Sequence, residues 1–191
     1  LIVGGECFVE GLKPVMLQGD IAYSDVLKSI GGRIEYIAEG VKSYSQKTLN
    51  GGAFNFVDIS DTFLTLAAVS PLLGSKLEIF GIEHTRKQET DRVSAMATEL
   101  KKLGQDVTEK PDRLIINPNL NKLRGLAEHG VSVDTYNDHR FAMSFAILGS
   151  FDLYETGKSW LSINNPGCCS KTFPGFFDCL NSVYDDSHDQ K

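Results

Sequence analysis

Apolar residues recur along the chain at two spacings, and the switching between them predicts alternating helices and strands. Five stretches carry the helical spacing. The first runs from Ile21 to Ile30, with Ala22, Val26, Leu27 and Ile30 on one face and Gly31-Gly32 as its stop. The second opens at Ser60-Asp61, carries Phe63, Leu64, Ala67 and Ala68, and ends near Gly74. The third opens at Glu89, repeats Val93, Met96, Leu100 and Leu103, and closes at Gly104. The fourth follows Asn137-Asp138 through Met143, Phe145, Ala146 and Leu148. The fifth begins at Pro174, a favourable first-turn residue, and carries Phe177, Leu180 and Val183. Short runs bounded by turn residues predict strands at Arg33–Ala38, Lys76–Phe80, Asp106–Glu109, Arg113–Ile116 and Trp160–Ile163. Residues 119–131 are too irregular to assign, and 184–191 read as a frayed polar tail. The order suits layered α/β packing in repeated units, forming one domain or one lobe over residues 1–183.

Composition narrows this picture. Of 191 residues, 41% are hydrophobic and 23% charged, a globular balance. No apolar run reaches the roughly 20 residues that span a bilayer, so no membrane partner is expected. The opening Leu1-Ile2-Val3-Gly4-Gly5 has neither a basic flank nor a cleavage pattern, and no initiator Met, so the chain is expected to be part of a longer protein. A net charge of −6 argues against nucleic acid as a partner held by the overall field. Any anion site must be built locally by a few Arg and Lys residues. The cysteines Cys7, Cys168, Cys169 and Cys179 have no metal-ligand spacing, and buried free thiols in a reducing cytoplasm are the expected state.

The notable polar residues fall where helices begin: Gln18-Gly19-Asp20, Asp61, Glu89 with Arg92, His139-Arg140, and Lys171-Thr172. Helix N-termini attract anions. If the helices run parallel, these ends share one edge, where Arg92, Arg140 and Lys171 would hold phosphate or carboxylate. Each residue also has a plainer reading. Asp61 suits a helix cap. Glu89 and Arg92 suit an exposed ion pair at i,i+3. His139 suits a capping or surface position, Asp138 and Arg140 a local pair, and Lys171 a solvated face.

Taken together, the segments resemble the EPSP synthase (3-phosphoshikimate 1-carboxyvinyltransferase) family. Met16-Leu17-Gln18-Gly19-Asp20 with Ser24-Asp25-Val26-Leu27 resembles its QGD…ADVL segment, and Ile59-Ser60-Asp61 its IPDA segment. Arg86-Lys87-Gln88-Glu89-Thr90-Asp91-Arg92, continuing through Ala95-Met96-Ala97-Thr98-Glu99-Leu100, resembles RVKETDR…AMATEL. Tyr136-Asn137-Asp138-His139-Arg140 resembles YNDHR, and Lys171-Thr172-Phe173-Pro174 its KTFP ending. The ordered set covers about Met16 to Leu180.

The resemblance implies an α/β lobe (α+β in some schemes) of repeated βαβαββ-type units, the second half of a two-lobed enzyme whose other lobe is a missing partner. It implies transfer of the enolpyruvyl group of phosphoenolpyruvate to the 5-hydroxyl of shikimate 3-phosphate, with phosphate released through a tetrahedral intermediate. No metal or organic cofactor is implied. Asp61 would be the general base, and Glu89 would move a proton to and from the methylene carbon. Arg92, Arg140 and Lys171 would bind phosphoenolpyruvate, with His139 lining the same site. Gln88 stands where the family has a lysine near the shikimate ring, and His84 where many members have Asn. Two other readings stay open: a UDP-sugar enolpyruvyl transferase of cell-wall synthesis, and a non-catalytic anion-binding module.

Overall fold

The structure is a computed structural model that describes residues 1–13, 19–46 and 48–188. Met16, Leu17 and Gln18 of the first motif, and the last three residues of the expected tail, lie outside the described residues.

The chain opens with strand β1 (Glu6–Glu10) and helix α1 (Tyr23–Ser29), followed by the hairpin β2 (Arg33–Ile37) and β3 (Gly40–Tyr44). These strands form an antiparallel sheet in the order β1-β3-β2. Then come β4 (Ala53–Asn55), α2 (Phe63–Val69), β5 (Leu77–Phe80), α3 (Arg92–Lys102) and the hairpin β6 (Asp106–Lys110) and β7 (Arg113–Asn117). This is a complete βαβαββ unit, with strand order β4-β5-β7-β6 and β4 parallel to β5. Helix α4 (Leu120–Ala127) leads into β8 (Val131–Asp134), α5 (His139–Gly149), β9 (Leu161–Asn164) and α6 (Phe176–His188). Strands β8 and β9 pair in parallel across α5, so the β-α-β start of the unit repeats. The repeated α/β organisation expected from the periodicity is the one observed.

Apart from Thr65, helix α2 is apolar because it is enclosed: Phe63, Leu64, Leu66, Ala67 and Ala68 are fully buried. It packs on α5, where the Thr65 and Ser144 hydroxyls meet at 3.3 Å. Beneath lie Leu77 and Ile79 of β5, Leu114 and Ile116 of β7, and Val93, Met96 and Leu100 of α3. The two parallel βαβ crossovers thereby bring the N-terminal sides of α2 and α5 to one edge, together with the start of α3.

Seven elements differ from expectation. Strands β1, β3, β4 and β8 were not expected, and α4 occupies the stretch left unassigned. Helix α4 has a sequence signal after all: Asn119 caps it by accepting the Lys122 amide at 2.9 Å, and Leu123 and Ala127 form its buried stripe. Helix α6 reaches His188, five residues into the expected tail. Helix α3 starts at Arg92 rather than Glu89, because the Asp91 carboxylate caps it, accepting the Ser94 amide at 3.0 Å. Of the four free cysteines only Cys169 is buried; Cys7 and Cys179 are exposed and Cys168 is intermediate.

Candidate active site

Three local features aim the helix starts. Gly81 follows β5 with φ of +78°, and a Cβ there would meet the Asn55 side-chain oxygen at 2.3 Å, so glycine alone fits the bend. The chain then enters a 3-10 segment, Glu83–Lys87. Arg86 anchors that segment to the β6–β7 hairpin, donating to the Pro111 and Lys110 carbonyls at 2.8 Å each and to Glu109 and Asp91. On the far side, Tyr136 and Asn137 both hold left-handed backbone, with φ of 54° and 58°. Such geometry costs about 1–3 kcal/mol per residue and needs support. The support comes from the Tyr136 hydroxyl, which donates to buried Glu99, and from its ring, 5.5 Å from that of Phe141. This turn delivers Asp138, His139 and Arg140 to the start of α5.

At the shared edge, Arg92 is the centre. It is 1% exposed and bonds in four directions. Its Nε donates to Asp138 at 2.7 Å, Nη1 to Asp61 at 2.9 Å and to the Gln88 side-chain oxygen, and Nη2 to Glu89 at 2.7 Å. That leaves a single Nη2 hydrogen. Arg140 donates to the other Asp61 oxygen at 2.6 Å, and Lys171 to the other Glu89 oxygen at 3.1 Å. Arg140 and Lys171 are the open cations, with side chains 33% and 64% exposed. Arg92, Arg140 and Lys171 thus stand against Asp61, Glu89 and Asp138, and the cluster is formally neutral.

The plainer readings fare unevenly. Asp61 makes no cap bond; it sits inside the 3-10 turn Ser60–Thr62 and faces two guanidinium groups. Glu89 and Arg92 do pair at i,i+3, but around a buried cation rather than in water. The cap of α5 is Asp138, whose carboxylate accepts the Arg140 backbone amide at 2.9 Å, and not His139. His139 is buried, with Nδ1 3.8 Å from Asp138 and without a hydrogen-bond partner among the described residues. Burial holds its pKa below the usual value against the pull of Asp138, so the ring is neutral at pH 7. The Glu89 carboxyl is held below its usual range by its own backbone amide and then by Lys171.

Of the eight candidate residues, seven converge: Asp61, Gln88, Glu89, Arg92, His139, Arg140 and Lys171. His84 does not join them; it lies exposed in the Glu83–Lys87 segment, with no hydrogen bond to the cluster among the described residues. Gln88 meets Arg92 and accepts from it. The residue missed was Asp138. Its signal was present as an Asx position before a helix, but its second bond, to a guanidinium 46 residues away, is a matter of tertiary structure. The site thus presents two partly open cations, two half-exposed carboxylates, and a buried Asp138–Arg92 pair behind them.

Two solved structures share this fold. An EPSP synthase from Acinetobacter baumannii superposes with a TM-score of 0.71 at 22% identity, over 94% of this chain and 42% of that one. The enolpyruvyl transferase NikO from Streptomyces tendae superposes with a TM-score of 0.57 at 18% identity, over 84% of this chain and 34% of that one. The family model described as EPSP synthase (3-phosphoshikimate 1-carboxyvinyltransferase) matches residues 1–180, and the chain belongs to that family. Curated relatives named 3-phosphoshikimate 1-carboxyvinyltransferase include one from Opitutus terrae, 47% identical over 96% of this chain, and one from Marinomonas sp., 38% identical over 95%. The chain spans 38% and 40% of the length of those two relatives.

Proposed function

We propose that this chain is one lobe of an enzyme that moves the enolpyruvyl group of phosphoenolpyruvate onto the 5-hydroxyl of shikimate 3-phosphate and releases phosphate. The observation that carries this reading is the convergence of Arg140 and Lys171, both open, with Asp61 and Glu89 around a buried Arg92, in a chain of the EPSP synthase family. The phosphate and carboxylate of phosphoenolpyruvate dock on Arg140 and Lys171, with the last hydrogen of Arg92 behind them. Asp61 takes the proton of the attacking hydroxyl, and Glu89 moves a proton to and from the methylene carbon. Neutral His139 lines the pocket, and Gln88 offers its amide near the shikimate ring. No metal or organic cofactor enters this route. A cytoplasmic setting belongs to the same reading and suits four free cysteines. No described helix is long and apolar enough to cross a membrane.

The partner lobe supplies the rest of the cleft. A phosphate-release assay tests the proposal. The complete protein is expected to turn over only with both substrates, and the 191-residue chain alone to be silent. Turnover by the isolated chain, or use of a UDP-sugar in place of shikimate 3-phosphate, would sink it.

A further inference from the structure

In the free site Glu89 accepts from Lys171 at 3.1 Å through one carboxylate oxygen and from Arg92 at 2.7 Å through the other. Its own backbone amide is the largest cause of its lowered pKa, and both contacts add to it, favouring the ionised form. Yet the role proposed for Glu89 requires a proton on it before the methylene carbon can receive one. The two cations facing Glu89 are not equally free to change partner. Arg92 is buried and held by Asp138, Asp61 and Gln88, so it has three further bonds to break before it could change partner. Lys171 is mostly exposed, sits at the end of the 3-10 segment Pro166–Lys171, and has no carboxylate partner other than Glu89 among the described residues. An arriving anion therefore competes with Glu89 for Lys171, while Arg92 stays tethered to its other partners.

From this geometry we infer that capture of a dianion at Lys171 and Arg140 loads a proton from solvent onto Glu89. The anion withdraws the Lys171 ammonium from Glu89 and sets negative charge beside it, and both changes favour the neutral carboxyl. The groups facing Glu89 are Lys171, Arg92 of α3 and His139 of α5, with Asp61 across Arg92. His139 is neutral, so it offers no replacement cation. The inference rests on the reading above, in which this cluster holds the anionic substrate. It adds that the substrate's own charge prepares the acid.

The test uses the 191-residue chain and sulfate, a tetrahedral dianion that does not itself titrate in the range of carboxylates. Calorimetric titrations in two cationic buffers of different ionisation enthalpy give the protons taken up per sulfate bound. Between about pH 4 and 6, roughly half a proton or more is expected, falling to near zero in Glu89→Gln. The carbon-13 shift of the Glu89 carboxyl, read in the unsubstituted chain, moves toward the protonated value as sulfate is added. Binding without uptake, uptake that persists in Glu89→Gln, or an unmoved Glu89 shift overturns the inference while leaving the anion site standing. Failure of sulfate to bind overturns the anion site itself, and the inference with it.

Discussion

Helix α3 carries two buried charges of opposite sign, Arg92 at its start and Glu99 two turns later, and their surroundings differ in kind. Glu99 is saturated by neighbours that close around it: Lys102 at 2.9 Å, the Asp134 amide at 3.1 Å and the Tyr136 hydroxyl. Lys102 also reaches Asp134 at 2.7 Å, which accepts from Asn164 as well. Burial works against charge on Lys102, but these two carboxylates outweigh it and raise its pKa. The result ties α3, β8, β9 and the Tyr136 turn into one brace. Arg92 is as deeply buried, but two of its carboxylate partners, Asp61 and Glu89, face outward and share themselves with open cations. A buried charge whose partners are consumed braces the fold. One whose partners remain half open leaves charge available at the surface. The brace also serves the site, since it holds the strained turn that delivers Asp138.

The comparison can be broken by substitution. Arg92→Met leaves Asp138 buried without its cation and is expected to lower unfolding free energy by about 3–5 kcal/mol, measured by urea denaturation, with turnover of the complete protein lost as well. A loss below about 1 kcal/mol would mean that Arg92 does not organise the cluster. Asp61→Ala separates the two functions: turnover in the complete protein should fall about 10²–10⁴-fold, as for loss of a general base, while stability changes by less than about 1 kcal/mol. Equal losses in both would return Asp61 to a structural role. Glu99→Ala, on the brace side, strands the Tyr136 hydroxyl and should cost about 1–3 kcal/mol in stability. Because the same bond supports the turn that delivers Arg140, this variant should also bind sulfate more weakly, by up to about tenfold, a difference of at most about 1.4 kcal/mol.

The smallest effect is on acid stability. Glu89 has a folded pKa below its usual 4.5, so its contribution is present above pH 4.5 and is lost as pH falls through the folded value. Melting temperature followed downward from neutral pH should fall less steeply below that point in Glu89→Gln than in the parent chain. Parallel curves would remove Glu89 from the ion-pair network.

Much of the architecture was readable from periodicity, because a helix or strand with one buried face records that face in its spacing. Strands β2, β5, β6, β7 and β9 lie where the short apolar runs put them. Strands β1 and β4 left weaker marks. Every residue of β1 is exposed, and β4 has only three residues. Helix α4 was masked by polar residues on its open face around a narrow stripe of Leu123 and Ala127. The candidate site was legible as a set of helix starts, since anion-binding chemistry favours Arg, Lys and carboxylates there.

By itself the sequence determined the repeated α/β order, the family motifs and seven of the residues that meet at the edge. Tertiary structure alone decided what those residues do to one another. It buried Arg92 and left Lys171 open, turned Asp61 from a cap into a partner of two guanidinium groups, and placed Asp138 beneath them. It also left His84 outside the cluster. The physical reason is range. Spacing along a chain encodes which face is apolar, but the burial and pairing of a charge depend on groups brought from 31, 46 and 82 residues away.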